Sequence, residues 1–125
     1  MCRNNVATGA TGTAIGTGSA NTTAIISAQG ATETSYAAGL AGAYTGGGYT
    51  DWFLPSKDEL NKMYLNKATI NTTAAANSGS DFVSDYYWSS TEYDTSNAWR
   101  RSFNFDNQNY VPKLATSSVR AVRAF

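Results

Sequence analysis

The side-chain period changes part-way along the chain, and this limits the possible folds more than any other feature. In the last third, Trp99, Arg101, Phe103 and Phe105 alternate with Arg100, Ser102 and Asn104, and Val119, Ala121, Arg123 and Phe125 alternate with Arg120, Val122 and Ala124. A period of two is that of a β-strand. Earlier, apolar residues recur at helical spacing. Runs segregated in this way predict an α+β domain, with short helices in the N-terminal half and a small antiparallel sheet in the C-terminal third.

Three helices are expected. One runs over residues 21–29, opened by Asn21 and closed by Gly30. A second runs from about Glu33 to Tyr44, capped by Thr32, with Tyr36, Leu40, Ala43 and Tyr44 at three- and four-residue spacing and small residues that allow close packing. The strongest local signal is Ser56-Lys57-Asp58-Glu59, a capping box in which hydroxyl and carboxylate satisfy each other's free amides. Pro55 stops that helix from extending backward, Leu60, Met63 and Tyr64 give it one apolar face, and Trp52-Phe53-Leu54-Pro55 forms an apolar plug before it. Residues 68–85 lack periodicity and predict a long loop anchored by Ile70, Phe82 and Val83. Gly46-Gly47-Gly48 predicts a tight turn; the Lys-Ser or Lys-Thr pair of a phosphate loop does not follow it.

Composition removes several classes of activity. The chain has 125 residues, enough for one domain spanning 1–125. It contains no histidine and one cysteine, so the commonest general base, the commonest metal ligand and an internal disulfide are all absent. Nine basic and nine acidic residues cancel, leaving no overall field to steer the chain toward nucleic acid. No run approaches the roughly 20 apolar residues that cross a bilayer. Residues 1–5 lack the apolar region of a signal peptide, so the chain reads as soluble, without membrane insertion.

Strand-like runs at Tyr87 to Glu92, Asn97 to Trp99 and Ser118 to Phe125 frame patches that obey neither period. These patches are Tyr93-Asp94-Thr95-Ser96, Phe105-Asp106, Tyr110-Val111-Pro112 and Leu114-Ala115-Thr116-Ser117. Large aromatic residues mixed with Ser, Thr and Asp make up the chemistry of antibody loops. Trp88 and Trp99, in strands beside Ala98 and Phe103, are expected in the core. Arg120 and Arg123 are expected to pin the final strand by pairing with Glu92, Asp85 or loop carbonyls.

Four ordered motifs carry a resemblance. Gly48-Tyr49-Thr50-Asp51-Trp52-Phe53-Leu54-Pro55-Ser56-Lys57-Asp58-Glu59-Leu60, Tyr87-Trp88-Ser89-Ser90-Thr91-Glu92-Tyr93, Asn97-Ala98-Trp99 and Val119-Arg120-Ala121-Val122-Arg123 resemble the bacterial and phage domain family DUF1566, or Lcl C-terminal-like. The lead-in around Gly12-Thr13-Ala14-Ile15 resembles members from gut bacteria and their phages. The resemblance implies a C-type-lectin-like fold, and some similar proteins are the variable proteins of diversity-generating retroelements. In those systems template adenines are copied with errors, so that Asn codons become many residue types but never Trp, Lys, Glu, Gln or Met.

The variable region implied is 87–125, with ligand-binding candidates Tyr93, Asp94, Thr95, Ser96, Arg100, Ser102, Phe105, Asp106, Tyr110, Val111, Pro112, Leu114, Ala115, Ser117 and Ser118, all permitted types. Glu92, Trp99, Gln108 and Lys113 are of the forbidden types and belong to the frame. Family members usually begin with a further apolar strand and a Trp-containing segment that residues 1–5 do not supply, so the resemblance implies either a truncated copy or a strand that comes from elsewhere.

The function implied is non-catalytic recognition of a bacterial or host surface molecule, protein or glycan, by a phage tail fibre or a bacterial surface protein. The alternative is an invariant structural or adhesive module. No cofactor is expected, and no metal, because Glu92, Asp94 and Asp106 lack the motifs of calcium-dependent lectins. A weaker resemblance to formylglycine-generating enzymes does not bring their activity, since Cys2 lies outside every matching motif.

Overall fold

The computed structural model describes Cys2, residues 4–30 and residues 35–124. In chain order these form α1 (Gly18–Gln29), α2 (Ala37–Ala43), a 3-10 turn at Gly46–Gly48, α3 (Lys57–Leu65), α4 (Lys67–Ala76), β1 (Tyr86–Glu92), β2 (Asn97–Ser102) and β3 (Gln108–Pro112). The strands form one antiparallel sheet in the order β1-β2-β3. The domain is therefore α+β, with the helices preceding the sheet.

The plug and capping box organise the N-terminal half. Ser56 Oγ accepts from the Glu59 amide at 3.3 Å and the Ser56 amide donates to Glu59 Oε1 at 2.7 Å, completing the box. Its members also reach outward: Ser56 Oγ donates to the Ala14 carbonyl, and Glu59 Oε2 accepts from the Gly16 amide. A Cβ on Gly18 would lie 2.2 Å from Glu59 Oε1 and 2.9 Å from the Leu54 carbonyl oxygen, so only glycine lets α1 start against the box.

α1 begins earlier than its sequence suggests. Asn21 is buried inside it rather than capping it, because its amide group bonds both backbone groups of Gly12 and ties the lead-in to the helix. Gly30 closes the helix as expected, at φ 82°.

α2 is shorter than expected, and Thr32 and Glu33 lie outside the described residues. Its packed face is also different. The small residues Ala37, Ala38, Gly39 and Ala41 are buried, while Leu40 and Tyr44 are exposed.

Strand pairing puts alternate residues on opposite faces of the sheet, and each face has its own core. Trp88 and Ala98 pack with Ile25, Leu54, Tyr36 and Ala38 under α1 and α2. Tyr87 and Phe103 pack with Leu60 and Phe82 under α3 and α4. Every residue of β1 from Tyr87 to Glu92 is buried. Beyond β2, its amides also meet carbonyls of Ser118, Pro55 and Ala10.

Three expectations are corrected. The long loop over 68–85 contains α4, whose Ile70 packs on the second core and whose Asn71 Oδ1 accepts from the Phe82 amide. The patch at Tyr110-Val111-Pro112 belongs to a regular strand, β3. The strand expected over 118–125 is not formed among its described residues, 118–124, whose backbone pairs at isolated bridges, Ser118 to Tyr87 and Val122 to Phe53; Phe125 lies outside the described residues.

Candidate recognition surface

The hairpin joining β1 to β2 is shaped by Asp94. Its Oδ1 accepts from the amides of Ser96 and Asn97 at 2.9 and 2.8 Å, and both its oxygens accept from Asn97 Nδ2. These bonds, led by the one from the Ser96 amide, hold the Asp94 carboxyl below the usual carboxylate range. The turn in this way fixes where Tyr93 leaves β1. Across the sheet, Trp99 of β2 is registered directly against Tyr110 of β3.

The result is an aromatic group on the sheet surface. Tyr93 and Tyr110 stack with ring centroids 3.7 Å apart and planes 4° from parallel. Trp99 meets both edge-on, at 5.6 and 5.4 Å. Lys57 Nζ lies over the Trp99 ring, 3.9 Å from its centroid, which buttresses the group from the first turn of α3. The tyrosines are 48% and 45% exposed, whereas Trp99 is half-buried rather than in the core as expected. The neighbouring Tyr110 phenol raises the pKa of Tyr93.

The fifteen sequence candidates do not form one surface. Thr95 and Ser96 are exposed on the hairpin beside Tyr93 and Asp94, and Pro112, registered against Asn97, completes that end. Phe105 and Asp106 are exposed in the β2–β3 turn, about 17 Å away along six residues of strand. Asp106 there pairs with Arg101 at 2.6 Å.

Arg100 lies on the other sheet face, over the Tyr86 ring, with Nε donating to Asn109 and one terminal nitrogen to Ser117. Ser118 Oγ donates to Asp85. Val111 and Ala115 pack on the first core, and Leu114 is exposed beside a small cavity lined by Cys2, Tyr36 and Leu40. Ser102 is a correction: it is buried, and its hydroxyl accepts from the amides of Asn104 and Phe105 to form the turn.

Two residues assigned to the frame make a buried contact. Lys113 Nζ is ion-paired with Glu92 Oε1 and also donates to the Val6 carbonyl, while Glu92 accepts from the Thr8 amide. Burial works to raise the pKa of Glu92, but the hydrogen bond from Lys113, with those from Thr8, brings it below the usual value. Arg120 donates to the Ser80 carbonyl, as expected of a loop carbonyl, but Arg123 pairs with Asp51, which the sequence did not suggest. Lys57 was also missed, since its place in the capping box carries no sign that it reaches Trp99.

The family pattern of the Lcl C-terminal domain matches residues 7–123. The chain belongs to the Lcl C-terminal domain family. No curated protein matches the sequence. In this Lcl C-terminal domain the plug, the capping box and the sheet all lie within the matched residues, and the exposed tyrosine pair stands on the sheet.

Proposed function

We propose that the chain is a non-catalytic recognition domain of C-type-lectin-like fold whose binding surface centres on Tyr93, Tyr110 and the Asp94–Ser96 hairpin. The observation that carries this reading is the stacked, half-exposed tyrosine pair held on strands by Trp99 and Lys57. Exposed aromatics on a rigid support give large contact area at little cost in conformational entropy, as in antibody binding sites. The ligand is a surface molecule of a bacterium or host, protein or glycan, met by a phage tail or a bacterial surface protein. In the diversified form of this reading, the exchanged positions are those exposed around the tyrosines, not the buried Ser102.

A second reading is favoured by Arg100, Ser117 and Ser118, which make bonds within the domain. It is an invariant adhesive module with the same tyrosine surface. A near-identical template repeat and a reverse-transcriptase gene in the neighbouring DNA support diversification; their absence leaves the invariant module. Binding itself is tested by screening the chain on glycan and surface-protein arrays. Tyr93→Ala with Tyr110→Ala should abolish binding while the thermal transition moves little. Binding that survives the double variant overturns the assigned surface.

A further inference from the structure

Tyrosine rings in this molecule are repeatedly matched with arginines. Of its eight tyrosines, Tyr49, Tyr64 and Tyr86 each carry a guanidinium over the ring, from Arg123, Arg101 and Arg100, with the central carbon 3.6, 3.8 and 3.8 Å from the centroid. A guanidinium is drawn to the electron-rich ring face and can lie flat there while its edge still donates hydrogen bonds. In two of the three stacks that edge meets a carboxylate. Arg123 donates to both oxygens of Asp51 at 2.7 and 3.2 Å, and Arg101 donates to Asp106 at 2.6 Å. Tyrosine, guanidinium and aspartate therefore recur as a unit.

The exposed hairpin presents the same unit without its middle member. Tyr93 and Tyr110 stack on each other, so each spends one ring face and keeps the other. Trp99 is nearly equidistant from the two centroids, at 5.6 and 5.4 Å, and so meets their edges rather than covering either outer face. Among the described residues, no lysine or arginine lies over either ring. Asp94 is exposed beside Tyr93 and makes no ion pair among the described residues. Its Oδ1 takes three hydrogen bonds from the turn, whereas Oδ2 takes one, from Asn97 Nδ2 at 3.2 Å, and keeps acceptor capacity. The carboxylate also acts on the tyrosine: the pKa of Tyr93 is raised chiefly by Tyr110 and in smaller part by the Asp94 charge. Cations nearby are already engaged, Lys57 over Trp99, Arg101 with Asp106 and Lys113 with Glu92.

We infer that the ligand supplies the missing member: Tyr93, Asp94 and Tyr110 receive an arginine side chain of a partner polypeptide, its guanidinium flat on an outer tyrosine face and its edge on Asp94 Oδ2. This rests on the recognition surface proposed above and narrows its ligand to a protein. Arginine is favoured over lysine by shape, since a planar fork serves the ring and the carboxylate together, while a compact ammonium has no flat face to lay on the ring. Tyrosine and arginine are also the side chains that most often dominate the energy of protein interfaces. A neutral or acidic glycan would leave Asp94 without a cation.

The test selects binders for the full chain from a displayed random peptide library. Peptides whose binding is lost in the Tyr93→Ala, Tyr110→Ala double variant should be enriched in arginine. In a synthetic copy of the strongest of them, replacing that arginine by citrulline, which keeps the shape and removes the charge, should weaken binding about tenfold or more, and replacing it by lysine about fivefold. Asp94→Asn keeps an oxygen for the Ser96 and Asn97 amides, and should weaken the arginine peptide about tenfold while leaving the citrulline peptide unchanged. Should that variant fail to fold, the citrulline and lysine peptides on the unaltered chain decide. Tyrosine-dependent peptides with no excess of arginine, or arginine and citrulline peptides that bind equally, overturn the inference and leave the recognition surface standing. Tyrosine-dependent binding confined to glycans does the same. If no peptide and no glycan depends on the tyrosines, the surface itself falls, and this inference with it.

Discussion

Two aromatic clusters lie on the same face of the same sheet and differ in fate. Phe82, Tyr87 and Phe103 are buried, with ring centroids 4.4 to 5.4 Å apart. Tyr93, Trp99 and Tyr110 are just as close and keep their outer surface open. Chemistry does not separate them, since each has rings in contact on paired strands. Cover does: Leu60, Met63 and Tyr64 of α3 and Ile70 of α4 lie over the first, while the second keeps its tyrosines exposed and has the Lys57 side chain over Trp99. An aromatic cluster is core where helices cover it, and exposed surface where they do not.

The contrast should be sharpest in stability. Phe103→Ala should cost about 3–5 kcal/mol, because it leaves a cavity between Phe82, Tyr87 and Tyr64. Tyr110→Ala, stripping a ring of similar size from an open surface, should cost no more than about 1.5 kcal/mol. Denaturant titration of both variants checks this; equal losses would make the tyrosine cluster core.

Acid should come next, acting on neither cluster but on the Glu92–Lys113 contact. The pKa of Glu92 is lower in the folded chain than its ordinary 4.5, so its contribution is present above that value and lost as pH falls through the folded-state pKa. Urea midpoints measured from pH 6 down to pH 2 should fall, and Glu92→Gln should flatten that part of the profile while lowering the midpoint at neutral pH.

The smallest expected effect is at the buttress. Lys57→Ala should lower stability by about 0.5–1 kcal/mol, through loss of the cation over Trp99. Its larger consequence should be seen in the near-ultraviolet circular dichroism of the Tyr93–Trp99–Tyr110 group, and an unchanged spectrum would remove Lys57 from the surface.

Parts of the molecule were readable because their causes are local. The capping box needs only four consecutive residues, and β2 shows its period because Trp99, Arg101 and Phe103 lie on one side and Ala98 and Ser102 on the other. α4 was hidden because none of its residues is buried and its Thr-, Asn- and Ala-rich sequence draws no apolar stripe. β3 was hidden because Tyr110 is exposed while its neighbour Val111 packs inward, which inverts the usual reading of apolar residues. Residues 118–124 have a strand's alternation, but backbone pairing depends on neighbours, and among the described residues these bridge it at Ser118 and Val122. The same limit applies to the site. Types permitted to vary can be read from a sequence, whereas the sheet face each occupies depends on register, which sent Arg100 away from Tyr93 and Ser102 inside.

Glu92 and Lys113 stand immediately outside the stretch 93–112, and their ion pair brings its entrance and exit to one place. That stretch is consequently a pinned excursion, leaving and rejoining the body of the domain at a single fastening that also holds Val6 and Thr8. Exposed residues along it, Thr95 or Phe105 for example, are free of that anchorage, whereas its buried Ala98, Ser102 and Phe103 hold the excursion to the sheet.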